Sequence, residues 1–156
     1  MRPDPSRGVA LNNFISHNLG SSYDMTILIA YDGRKNSERA LDYAIQHSIN
    51  YSEPLYILTV VREDQRDPDD PDTSIQEFMS AAQRKAASQG AEVQTIIEVG
   101  KPEDAVPEVA SRFKCDTIVI GRSDKSALDR LLLGSVTKAV INSDLNVILV
   151  SDSQQD

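Results

Sequence analysis

The stretch TIVIGRSDKSALDRLLLGSVT, residues 117–137, decides how this chain folds. Thr117-Ile118-Val119-Ile120 is short, β-branched and apolar, as a strand buried on both faces must be. A loop opens at Gly121 and closes at Gly134-Ser135, where a helical stretch from Val136 through Thr137 to Ile141 begins. A helix start offers unpaired backbone N–H groups and the positive end of the helix dipole, so this strand–loop–helix unit has the form of a phosphate cradle. The same residues also read as a long turn whose glycines only solve backbone geometry and whose Ser135 is an N-cap.

Outward from this unit, β-branched runs alternate with amphipathic stretches from Met25 onward, the pattern of a parallel sheet with crossover helices. Strand one is expected over 26–31, ended by Asp32-Gly33, and Ser37 is expected to cap a helix with Ala40, Leu41, Ala44, Ile45 and Ile49 on one face. Strand two spans 55–61. Residues 62–72 then carry six acids (Glu63, Asp64, Asp67, Asp69, Asp70, Asp72) against Arg62 and Arg66, which reads as a solvated loop. Ser74 to Glu77 has capping-box spacing and Gly90 suits a left-handed C-terminal cap, so a second helix lies between them.

Strand three is expected near 92–99, closing at Gly100, with Pro102 in the first turn of a third helix that runs toward Phe113. Pro107 is expected to kink that helix or to delay its start to around Asp104. Strand four covers 117–120, helix four about 135–143, and strand five 146–150. Because parallel crossovers are right-handed in about 98% of cases, the simplest arrangement is a doubly wound α/β sheet of order 3-2-1-4-5 with helices on both faces. Its winding reverses between strands one and four, and ligands of such sheets lie in the crevice at that reversal.

A chain of 156 residues with 40% apolar content supports one α/β domain, expected over 25–151, with residues 1–24 an extension and 152–156 a polar tail. In the extension, Leu11, Phe14, Ile15 and Leu19 have the spacing of one docking turn or helix. A formal charge of −8 without a basic face argues against nucleic acid and anionic membrane as partners. Cys115 is the single cysteine and reads as a small core residue, so neither a disulfide nor a cysteine-rich metal site is expected. No apolar run approaches the roughly 20 residues of a membrane span, and the start lacks the pattern of a secretion signal; the reading is cytoplasmic.

Two elements empty into the expected crevice: Asp32-Gly33 and the 121–135 loop. The Asp32 carboxylate can accept hydrogen bonds from ribose hydroxyls or an adenine amino group, or hold a metal beside phosphates. It can equally serve as a turn residue that caps the next helix. Val60 and Val61 can wall a planar base or simply fill the core.

Several separated segments together resemble the universal stress protein family across nearly all of 25–150. They are Ile27-Leu28-Ile29-Ala30-Tyr31-Asp32-Gly33 with Ser37, Val60-Val61, Val99-Gly100-Lys101-Pro102-Glu103-Asp104-Ala105, Cys115 to Gly121, Arg130 to Val136, and Val147-Ile148-Leu149-Val150. The resemblance implies the same sheet order and a homodimer through strand five, at Val147, Ile148, Leu149 and Val150. Its ATP-binding members imply ATP as ligand; Mg²⁺ enters through Asp32, whose carboxylate can hold a metal beside phosphates. Adenine would lie near Val60, the nucleoside at Ala30 and Asp32, and the phosphates at Gly121, Gly134, Ser135, Val136 and Thr137. Tyr31 and Ile120, the flanking strand ends, complete the set.

ATP-binding members carry glycine, two residues, glycine, nine residues, glycine, then Ser or Thr. Here Asp124 replaces the second glycine. It brings a side chain and a negative charge toward a polyphosphate, which weakens binding unless a divalent cation or Arg122, Lys125 or Arg130 compensates. Asn146 stands where the family often has proline, on the edge strand.

The edge strand carries its own physical argument, since Val147–Val150 at a sheet end leaves unpaired backbone beside apolar side chains. Pairing with a second copy removes that exposure; cover by residues 1–24 is the competing reading. Two function classes follow. One is a dimeric stress or signalling protein that binds an adenine nucleotide and serves a signalling partner not identified by the sequence. The other is a nucleotide-free interaction dimer that lost phosphate recognition through Asp124. Enzymatic catalysis is not expected, because the chain lacks the phosphate-loop and dinucleotide fingerprints and has only His17 and His47, neither placed as a base. Slow ATP hydrolysis assisted by Asp32 and a metal is the one catalytic reading left open.

Overall fold

The central strand β1, Ile27–Ala30, is apolar at every position, and its first three residues are wholly buried, as a strand covered on both faces requires. In the computed structural model, which describes residues 25–65, 69, 73–122 and 134–151, it lies between two parallel neighbours. The chain continues as α1 (Lys35–Tyr51), β2 (Leu55–Val61), a 3₁₀ turn at Glu63–Gln65, α2 (Thr73–Ser88) and β3 (Val93–Val99). It ends with α3 (Pro102–Arg112), β4 (Thr117–Arg122), α4 (Ser135–Ile141) and β5 (Asn146–Ser151).

The five strands form one sheet of order β3-β2-β1-β4-β5, and every pairing is parallel, as expected from the alternation of runs. Ala30 stands opposite Leu58 of β2 and Ile120 of β4, so the end of β1 lies between the C-terminal halves of its two neighbours. Strand alternation splits the core in two. Ile27, Ile29 and Tyr31 pack with Leu41 and Ile45 of α1 and Met79 and Ala82 of α2. Leu28 packs on the other face with Leu58, Ile118, Val106 and Val109 of α3 and Val140 of α4. Each such fully buried aliphatic side chain contributes about 1.5–3 kcal/mol, so both faces are strongly held.

Several element boundaries differ from the sequence expectation, and three have a clear physical reason. Helix α1 starts at Lys35 with Arg34 as its N-cap, and Ser37 is a buried residue of the first turn, not the cap. The reason is the Asp32-Gly33 corner: Gly33 takes φ +79°, a conformation glycine adopts without strain, and turns the chain three residues early. Helix α3 starts at Pro102 as expected of a first-turn proline, yet runs through Pro107 to Arg112 without a delayed start. Burial of Val106, Val109 and Ala110 on one side offsets the hydrogen bond that Pro107 cannot donate. Strand β4 continues through Gly121 and Arg122 because β5 supplies partners at Val150 and Ser151. The extension 1–24, the tail 152–156, most of the acidic segment and Asp124 lie outside the described residues. Among the described residues no helix is long and apolar enough to cross a membrane.

Candidate functional site

The sheet order puts the reversal of winding between β1 and β4, and a cleft of about 270 Å³ opens there at the carboxyl ends of the strands. Strand ends supply its floor: Ala30 from β1, Leu58, Thr59 and Val60 from β2, Ile120 and Gly121 from β4. Pro102 and Val106 of α3 and Val136 of α4 line it, with Asp32, Asn36 and Ser37 at the β1–α1 corner. Among the described residues, two larger hollows lie elsewhere. One of about 460 Å³ includes Met25, Pro107 and Leu145, and one of about 390 Å³ includes Arg62 and Lys101. The smaller cleft is the candidate site, because there an apolar floor meets a few convergent polar groups at the sheet's reversal point.

The corner is held by its own hydrogen bonds. Asp32 Oδ1 accepts the Arg34 N–H at 2.9 Å and the Ser37 hydroxyl at 2.7 Å, and the Asp32 N–H donates to Ser37 Oγ at 3.4 Å. Asp32 Oδ2 lies 3.9 Å from Arg34 Nε, and the Asp32 side chain is 55% exposed. The turn-forming reading of Asp32 is thus seen in one oxygen, while the other lies beside the Arg34 guanidinium in a largely exposed side chain. Tyr31 is among the cleft residues, but its ring turns to the opposite face, edge-on to Phe78 at 5.8 Å, and its hydroxyl is bonded to Glu38. Burial, then the bond to Glu38, raises the Tyr31 phenol well above its ordinary pKa, so it stays neutral.

Across the cleft, Gly134 is the N-cap of α4, with no side-chain cap hydrogen bond, and Ser135 is the first helical residue. The first helical bond runs from the Lys138 N–H to the Gly134 carbonyl at 3.0 Å, so the amides of Ser135, Val136 and Thr137 have no partner within the helix. Gly134 and Ser135 are exposed, Val136 is half-buried in the cleft, and the Thr137 side chain is buried. Gly121 meets a different constraint: a Cβ there would stand 2.5 Å from the Asn36 carbonyl oxygen.

Of the expected site residues, the structure gathers Ala30, Tyr31, Asp32, Val60, Ile120, Gly121 and Val136 around one cleft. Gly134, Ser135 and Thr137 adjoin it through α4, and Asp124 lies outside the described residues. Sequence reasoning gave no site role to Asn36, Leu58, Thr59, Pro102 or Val106. For Pro102 and Val106 a signal existed, because a helix begun by proline after a strand puts positions one and five on one face. For Asn36 there was none.

Cys115 is buried, and burial, with Asp116 nearby, pushes its thiol up to about 12. It remains protonated, in keeping with a core role. Among the described residues no group of three or more His, Cys, Asp or Glu side chains is placed to hold a metal. A single open carboxylate oxygen at Asp32 suits Mg²⁺ only when phosphates supply most of its other ligands.

A parallel sheet that reverses its winding at a cleft of this composition defines the doubly wound α/β class. Within that class the chain belongs to the universal stress protein family, whose profile matches residues 25–151. Universal stress protein MJ0531 of Methanocaldococcus jannaschii is 33% identical over 82 residues, which cover 52% of this chain and 48% of that relative. The putative universal stress protein SH1215 of Staphylococcus haemolyticus is 26% identical over 144 residues, 83% of this chain and 87% of that one. Among solved structures, a universal stress protein in complex with cAMP superposes with a TM-score of 0.67 at 25% identity, covering 83% of this chain and 98% of that chain. The universal stress protein from Archaeoglobus fulgidus in complex with dAMP gives 0.65 at 23% identity, covering 81% and 97%, a likeness of fold.

Proposed function

We propose that this chain binds an adenine nucleotide in the β1/β4 cleft and acts as a homodimeric stress or signalling protein. The observation that carries the reading is the meeting of Asp32, the apolar strand ends Ala30, Val60 and Ile120, and Val136 around one cleft. The apolar floor suits a planar base, the open oxygen of Asp32 suits a ribose hydroxyl, and the amides at the start of α4 suit a phosphate. The relative in complex with cAMP supports the adenine class.

The role is binding, with nucleotide occupancy biasing the surface offered to a signalling partner; ATP with Mg²⁺ and a nucleoside monophosphate are the ligands to compare. Calorimetry with cAMP, AMP and ATP–Mg²⁺ tests this directly. The expected result is a saturable isotherm for at least one, with Asp124→Gly strengthening ATP most, since it removes a carboxylate from the phosphate loop. Binding seen only after Asp124→Gly would favour the nucleotide-free interaction dimer. No isotherm for either protein would end the adenine reading. A flat time course of ADP release would reject turnover.

The dimer forms through β5, an edge strand whose Val147, Ile148, Leu149 and Val150 are half-buried and uncharged. Native mass spectrometry should report twice the 17.2 kDa chain mass. Val147→Lys should halve it, and a monomer before substitution would remove the dimer from the proposal.

A further inference from the structure

Helix α2 lies on the face of the sheet opposite the cleft, yet it grips the corner that carries Asp32. Phe78 of α2 stands against Gly33: a Cβ on residue 33 would lie 3.1 Å from its Cγ, 3.2 Å from Cδ2 and 3.3 Å from Cδ1. The same ring meets Tyr31 edge-on at 5.8 Å, with 74° between the planes. Asp32 is the residue between these two contacts. Seven residues along α2, Lys85 Nζ reaches Asp42 Oδ1 at 2.5 Å and Glu38 Oε1 at 3.4 Å, and Glu38 in turn holds the Tyr31 hydroxyl. The corner is therefore held from behind at two points, one apolar and one charged.

We propose that Phe78 is a positioning residue for Asp32, holding the Tyr31–Gly33 backbone so that the carboxylate faces the cleft, and that α2 and the cleft are coupled through this contact. The inference rests on the adenine-nucleotide reading only for its ligand; the geometric claim stands apart from it. Gly33 fits this role twice over. Its φ of +79° suits glycine, and its missing side chain lets the aromatic ring close on the backbone. Packed contacts between elements with few alternative arrangements carry such coupling. Occupancy at Asp32 should in turn tighten α2, because the coupling free energy is reciprocal.

The test uses amide hydrogen exchange and nucleotide titration on the full chain. The Arg34 N–H, which donates to Asp32 Oδ1, reports whether the carboxylate keeps its place. In Phe78→Leu this amide should exchange about tenfold faster and the Kd for cAMP or AMP should rise about tenfold, while exchange of the β4 and β5 amides stays near wild type. Phe78→Tyr should restore both values, because the atoms that meet Gly33 belong to the ring's attached half and the added hydroxyl lies at the far end. Met79→Ala supplies the control, since Met79 is a buried neighbour on α2 packed in the core. If Met79→Ala speeds the Arg34 amide as much as Phe78→Leu does, or if Phe78→Leu leaves that amide unchanged, the proposal is overturned. If Arg34 responds to Phe78 alone but no adenine nucleotide binds the wild type, the positioning role stands and the ligand reading falls.

Discussion

Gly121 and Gly134 bound the same loop for opposite physical reasons. At Gly121 the backbone of α1 leaves no room, with the Asn36 carbonyl oxygen 2.5 Å, its carbon 3.0 Å and Ser37 Cα 3.2 Å from where a Cβ would sit. At Gly134 nothing among the described residues lies within 4 Å of that position. One glycine therefore lets the chain approach itself, whereas at the other no described atom claims the place of a side chain. A sequence pattern that treats both as one signature merges a position closed by backbone contact with one that the described residues leave unconstrained.

The largest effect that would sharpen this comparison is Gly121→Ala. The atoms a new Cβ would meet are main-chain atoms that no rotamer change can move aside, so the start of α1 or the end of β4 must shift. Overpacking of this kind costs about 1–3 kcal/mol. Urea unfolding followed by circular dichroism should show that loss, together with weakened nucleotide binding. A variant as stable as wild type would mean that α1 yields easily and that the contact is not a constraint.

Ser37→Ala comes next. It removes the hydroxyl that donates to Asp32 Oδ1 at 2.7 Å, in a residue that is 4% exposed. The lost bond should cost about 1 kcal/mol of stability, with the remaining acceptor capacity of Asp32 turning to solvent. Nucleotide affinity should fall with it, because a carboxylate held by Arg34 alone is less preorganised for the proposed ribose hydroxyl. Calorimetry on the variant checks this, and unchanged affinity would assign Ser37 to folding alone.

The order of these effects follows what the sequence could reveal. The β-branched run Thr117–Ile120 and its counterparts made the strands legible, and alternation of strand and helix made the sheet order nearly forced once handedness was applied. Asp32 and Gly121 were legible as residues of the cleft because they follow the apolar runs Ile27–Ala30 and Thr117–Ile120 on either side of the reversal. What was not legible came from tertiary contact. Ser37 read as a cap because serine before an apolar face usually is one; only the early turn at Gly33 shows it bonded to Asp32. Tyr31 read as a cleft residue from its position, yet strand alternation sends its ring through the sheet to Phe78 and Glu38. Gly121 carried no local sign that its need arises from Asn36, which lies 85 positions away in the chain.

Gly134→Ala is the smallest expected change in stability and the most informative about ligand. Gly134 has φ −64° and ψ 163°, a conformation alanine adopts freely. Loss of a favoured N-cap residue works against the stiffening of the unfolded chain, so the net change should stay within about 0.5 kcal/mol. The methyl group would instead occupy space beside the amides of Ser135 and Val136, which have no partner within the helix and which the proposed function assigns to a phosphate. Nucleotide affinity should therefore drop while the unfolding midpoint hardly moves, the reverse of the balance at Gly121. If titration shows equal affinity for the two proteins, Gly134 is only a helix cap. The phosphate must then be sought elsewhere on the rim.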